Sequence, residues 1–92
     1  MKRDLRDLTQ GFSLLSDRTR LGILAILVKG PKNVTALGKA LGLNQPTVST
    51  HLGLLRMGRL VTATRQGRSV VYSANKAPLK RLASTVAKLM PK

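Results

Sequence analysis

Apolar residues recur along this chain with two different periods, and the change of period divides it into two kinds of structure. Leu5, Leu8, Phe12 and Leu15 return every three or four positions, which predicts a first amphipathic helix from about Arg3 to Leu15. A second helix is predicted from Asp17 to about Lys29, capped by Ser16, burying Leu21, Leu24, Ala25 and Val28, and stopped by Gly30-Pro31. Asn33 caps a third, which carries Val34, Leu37 and Leu41. Gly42 with Leu43 supplies a turn, and Asn44 caps a fourth helix that has Pro46 in its first turn, where a missing N–H has no intrahelical acceptor to lose. In that helix Val48, Leu52 and Leu55 form the inward stripe, and the helix ends near Met57-Gly58.

After Gly58 the pattern alternates. Folding Leu60–Arg65 back on Arg68–Ser73 across Gln66-Gly67 sets Val61 opposite Tyr72 and Ala63 opposite Val70, with Thr62, Thr64 and Ser69 outward. Asn75 to Pro78 then breaks the chain, and Leu79, Leu82, Ala83, Val86 and Leu89 mark a last helix over about residues 78–89. One domain over residues 1–92 is expected, mainly α with a β-hairpin (an α+β fold), in the order α-α-α-α-β-β-α.

Charge changes what this small fold is expected to meet. There are 17 Lys and Arg against 3 acids, a net charge of +14. All three acids, Asp4, Asp7 and Asp17, lie near the start, where Lys2, Arg3 and Arg6 balance them, so everything from Arg18 onward is basic without interruption. A block of one sign attracts a polyanion through counterion release, and nucleic acid is the expected partner. The fourth helix fits that partner. Behind its apolar stripe, Thr47, Thr50 and Gly53 point away from the core, with Gln45, Ser49 and His51 on the shoulders, and such short polar groups suit base edges and phosphates. Arg56 near the helix end and Arg65 and Arg68 at the hairpin tip add cations for phosphate or minor-groove contact.

Other chemistries lack their residues. There are no cysteines, so no disulfide, thiolate metal site or thiol switch can come from this chain. One histidine and three dispersed Asp offer no acid/base pair, no activated nucleophile and no metal cage, so neither an enzyme nor a cofactor is expected. The start shows no secretory pattern and no run approaches a membrane span, which makes a cytoplasmic protein the expectation and membranes an unexpected partner.

Three segments, LLSDRTRLGILAIL, TALGKALGLNQPTVSTHLGLL and GRLVTATRQGRSVVYS, together resemble the ArsR/SmtB family of bacterial winged helix-turn-helix repressors over nearly the whole chain. Asp17 to Leu21 match the family's Asp-x-x-Arg-Leu entry into the second helix. Ser49, His51 and Leu52 match its Ser-x-His-Leu in the recognition helix, and Gly67, Arg68 and Tyr72 match its Gly-Arg-x-x-x-Tyr wing strand. The resemblance implies a homodimer joined by its terminal helices, with two recognition helices in successive major grooves and two wings on the flanks. Leu5, Leu8, Phe12, Leu79, Leu82, Val86 and Leu89 are the interface residues this assigns. The family's metal sensors place cysteines where Asn33 and Thr35 stand here, or Asp and His on the last helix, where this chain offers only Ser84, Thr85, Arg81 and lysines as polar groups. A regulator of transcription without metal control is therefore expected, responding to its own level, to a protein partner or to an unidentified small ligand. Two other readings remain open from the residues: an architectural binder of low sequence specificity, and a winged helix used for protein interaction.

Overall fold

A run rich in β-branched residues after Gly58 gives the chain most of its sheet, and three of the helices before it pack against that sheet. The computed structural model describes residues 2–89, and the side chains of residues 5–88. The elements are α1 (Lys2–Leu15), α2 (Arg18–Leu27), β1 (Lys32–Asn33), α3 (Val34–Leu41), α4 (Gln45–Met57), β2 (Val61–Gln66), β3 (Ser69–Ala74) and α5 (Lys76–Leu89). This is a winged helix-turn-helix, with β2 and β3 as the wing.

A two-residue strand joins the expected hairpin. β1 pairs antiparallel with β3, Lys32 opposite Tyr72 and Asn33 opposite Val71, giving the strand order β1-β3-β2. Two residues cannot show a period of two, so pattern alone does not reveal β1.

The hairpin register differs from the sequence expectation. Val61 pairs with Ala74, Ala63 with Tyr72, Arg65 with Val70 and Gln66 with Ser69. The turn is therefore Gly67-Arg68 and not Gln66-Gly67. Gly67 takes φ 62° as the first central residue, while Arg68 is not among the residues of positive φ, which is the type II′ arrangement whose twist suits adjoining strands. The slip spans two positions of pairing, so every side chain keeps its expected face and Val61 remains buried.

The start of α2 also departs from expectation. Asp17, not Ser16, is its N-cap, accepting the backbone N–H of Arg20 at 2.9 Å. Ser16 closes α1 instead, its N–H and hydroxyl both donating to Ser13 O at 3.2 and 2.7 Å. Within α2 the buried side chains are Ile23, Leu24 and Leu27, whereas Leu21, Ala25 and Val28 face outward. The stretch LGILAILV is apolar on nearly every side, so several stripes fit it and packing selects among them.

Ile23, Leu24 and Leu27 meet Leu37 of α3, Val48, Leu52 and Leu55 of α4, Leu60, Val61 and Leu82 of α5 in one core. Two glycines let backbones close in. Gly42 adopts φ 67°, ending α3 in the left-handed conformation that turns the chain into α4. Gly38 lies against the same turn, where a Cβ would sit 2.8 Å from Leu43 O. Asn75 fastens the far end, its N–H donating to Leu60 O and its amide to Arg59 O at 2.9 and 2.8 Å. α5 begins two residues earlier than expected, at Lys76, because Pro78 falls in its first turn, where the absent N–H has no partner to lose.

Candidate nucleic-acid interface

α4 is set up by its cap and its neighbour. Asn44 Oδ1 accepts the backbone N–H of Thr47 at 2.9 Å, Pro46 occupies the first turn, and the side chain of Gln45 reaches α3, donating to Thr35 Oγ1 at 3.1 Å. Val48, Leu52 and Leu55 are fully buried, which fixes the rotation of the helix about its axis. The opposite face is consequently in solvent: Pro46, Ser49, Thr50 and Gly53 are exposed, with Arg56 further along. Thr47 and His51 are half-buried, His51 on the side of the α2 cap. Thr50 Oγ1 donates to Pro46 O at 3.0 Å, which leaves its lone pairs and methyl outward.

A Cβ on Gly53 would meet nothing within 4 Å, so this position keeps the exposed face low rather than relieving a clash within the chain. Arg65 and Arg68 are exposed on the wing, Arg68 in its turn and Arg65 at the end of β2, with the Arg65 Nε–H pointing at Gly67 O at a long 3.4 Å. Thus the expected contact residues fall on two exposed elements, α4 and the wing, and only Thr47 and His51 are partly covered.

Two interactions lay outside the reach of sequence reasoning. The first brings Asp17 Oδ2 to 3.7 Å from Nδ1 of His51, joining the cap of α2 to the flank of α4. The backbone N–H of Arg20, helped by the Arg20 guanidinium and by His51, holds the Asp17 carboxyl below its ordinary value. The second is Arg20 Nε–H, which donates to Leu14 O at 2.6 Å and ties α2 to the end of α1. Neither has a sequence signal, because the partners belong to different helices.

The terminal helices divide the expected interface residues. Leu82 is buried within the chain, and a Cβ on Gly11 would lie 3.0 Å from its Cδ2, so α1 and α5 pack on each other through this pair. Leu8 and Leu79 also pack against the core. Leu5 (58% exposed), Phe12 (37%) and Val86 (43%) remain open to solvent, and the side chain of Leu89 lies outside the described residues.

Asn33 and Thr35, where the resemblance leads one to look for thiolates, are engaged polar groups. Asn33 caps α3 by accepting the N–H of Ala36 at 2.8 Å, and Thr35 accepts from Gln45. Among the described residues there is no cluster of His, Cys, Asp or Glu able to hold a metal ion, and no helix is long and apolar enough to cross a membrane.

A family profile described as bacterial regulatory protein, arsR family, matches residues 17–63, from the cap of α2 into β2. The chain belongs to the ArsR family. Among relatives, the transcriptional regulator NmtR of Mycobacterium tuberculosis is 48% identical over 59 residues, which are 64% of this chain and 49% of NmtR. The arsenical resistance operon repressor of Escherichia coli is 44% identical over 64 residues, 68% of this chain and 55% of the repressor. The chain thus spans about half the length of these two ArsR relatives. An ArsR-like transcriptional regulator from Rhodococcus sp. RHA1 superposes with a TM-score of 0.84 at 29% identity, covering 94% of this chain and 81% of that one. The homodimeric winged helix-turn-helix DNA-binding domain of Mb0332 from Mycobacterium bovis gives 0.80 at 30% identity, covering 95% and 83%. ArsR proteins are DNA-binding regulators, and the fold of this chain is of that kind.

Proposed function

We propose that this chain is a homodimeric, sequence-specific duplex-DNA-binding regulator of transcription that acts on the nucleoid as a repressor and is not controlled by metal. One observation carries the reading: α4 buries Val48, Leu52 and Leu55 and turns Ser49, Thr50 and Gly53 to solvent, within the segment that matches the ArsR profile. Thr47, Ser49 and Thr50, with Gln45 beside them, enter a major groove and read base edges. Arg56, Arg65 and Arg68 hold phosphates or the minor groove, where they set affinity more than sequence choice.

Repression follows from occlusion of a promoter by a dimer whose half-sites lie about one helical turn apart. The E. coli relative is a repressor by name, and the Mb0332 domain a homodimer, which favours the same arrangement here. The test is a selection of bound duplexes from a random pool, followed by competition with excess random DNA. An inverted repeat that survives competition is the expected result. Loss of all preference would make the chain an architectural binder instead.

A further inference from the structure

Among the described residues, His51 Nδ1 is a side-chain nitrogen sealed from solvent with no hydrogen-bond partner. It faces Asp17 Oδ2 at 3.7 Å, beyond hydrogen-bond length but within reach of a small rotation of the ring. The His51 side chain is nevertheless 20% exposed. With Nδ1 sealed, that exposure falls on the rest of the ring, whose polar atom is Nε2.

Charged groups near the ring are few. At the start of α2 it faces the capping Asp17 and, behind it, Arg20, whose Nε is turned away to Leu14 O, and α2 carries one further charge, the exposed Arg18. Of the other elements packed on α4, α3 carries only Lys39 and β2 only Arg65 as charged residues, both exposed. No acid follows Asp17 in the chain, so this carboxylate is retained in a surface otherwise built to attract phosphate.

We propose that Asp17 is a positioning residue for DNA binding that acts through His51: its carboxylate draws the Nδ1–H of the imidazolium, so that Nε2–H donates to a phosphate oxygen of the duplex. This rests on the reading of α4 as the recognition helix. An imidazolium has donors at both nitrogens, one for each anion, whereas a neutral ring has only one. The cap bond explains why the carboxylate can do this without moving: Oδ2 is already fixed by the Arg20 N–H. Docking of the phosphate completes a chain of anion, cation and anion, which only the protonated ring can make. Affinity for the duplex therefore rises as pH falls, by up to tenfold per pH unit if a whole proton is linked.

The experiment is titration of a fluorescein-labelled duplex, chosen by selection, between about pH 5.5 and 8.5 at fixed ionic strength. The proteins compared are the full chain, Asp17→Asn, His51→Gln and the double variant. Asn keeps the cap, because it accepts the same N–H, but removes the anion. Charge alone demands that Asp17→Asn bind more tightly, since a negative group has gone. Positioning demands the reverse: affinity several-fold weaker at the acid end, a flatter pH profile, and no further loosening when the change is made in the His51→Gln background. His51→Gln itself is expected to flatten the profile. Circular dichroism at the assay temperature establishes that each variant is folded, and Asp17→Ser, another good cap, replaces Asp17→Asn if that protein melts.

Tighter binding by Asp17→Asn with an unchanged profile overturns the proposal, as does an undiminished effect in the double variant. Binding by the unaltered chain that does not change with pH overturns it too, while leaving the DNA-binding reading intact. Failure of the unaltered chain to bind any duplex removes that reading itself.

Discussion

Three glycines in similar helical settings are constrained in different ways. Gly38 faces the carbonyl of Leu43 so closely that a methyl group cannot be placed without moving the turn, whereas Gly53 faces open space. Gly38→Ala is therefore expected to lower stability by about 1–3 kcal/mol, and Gly53→Ala to raise it by about 1 kcal/mol through helix propensity. Thermal denaturation separates the two, and a stabilising Gly38→Ala would show that the turn is soft. At Gly11 the neighbour is the end of a flexible side chain, Leu82, which can yield. Asn33 and Thr35 bear on control in the same residue-level way. Both are already engaged in hydrogen bonds, and no thiolate is within the chain. Micromolar zinc, cadmium or arsenite is expected to leave duplex affinity unchanged in anisotropy titrations. A tenfold loss reversed by a chelator would refute metal independence.

At the scale of elements, α2 depends on a cap that titrates. The Asp17 carboxyl has its folded-state value below the ordinary 3.8, chiefly because it accepts the Arg20 N–H. The stability it contributes is fully present above that ordinary value and is lost as pH falls through the lower, folded one. Acid unfolding followed by circular dichroism should be shallower for Asp17→Asn, whose cap does not ionise. An identical acid limb in both proteins would mean that the cap contributes nothing there. α4 and the wing are expected to divide the work of recognition. Alanine at Thr47, Ser49 or Thr50 should weaken preferred over random duplex by ~1–3 kcal/mol for each base edge no longer read. Alanine at Arg65 or Arg68 should weaken both duplexes alike and reduce the salt slope by about one for each phosphate no longer held. Equal effects of the α4 changes on both DNAs would mean that α4 does not read bases.

For the whole molecule, the terminal helices have two obligations. Leu82 closes the core of its own subunit, while Leu5, Phe12 and Val86 leave an apolar surface that a second copy can cover. Leu82→Asp should unfold the chain, since it buries an unpaired charge. Phe12→Asp and Val86→Asp should instead yield folded monomers, recognised by sedimentation equilibrium together with an unchanged far-ultraviolet spectrum. Folded dimers from both variants would move the interface elsewhere. Such a dimer would also raise affinity, because two copies of α4 acting on one inverted repeat double the interactions that a monomer makes once.

Local rules that act within a few residues determined much of this protein in the sequence itself. Asn33 and Asn44 declared the starts of α3 and α4, the stripe Val48, Leu52 and Leu55 declared the inward face of the recognition helix, and the alternation after Gly58 declared the hairpin. The same stripe fixed which polar residues of α4 face solvent, Thr47 excepted, because all of them lie on a single element. Tertiary structure decided what local pattern left degenerate. Around α2, apolar on nearly all sides, only packing against Leu37 and Leu52 could choose Ile23 and Leu27 over Leu21 and Val28. The pairing of a whole hairpin, with Gly67 free to take positive φ, chose its turn over an alternative one residue away. β1 exists only because β3 offers it hydrogen bonds. The division of the terminal helices into buried and solvent-facing apolar residues, and the approach of Asp17 to His51, required separate helices to be placed in space. Periodicity reports how one segment faces a core, and carries no information on which segment lies across from it.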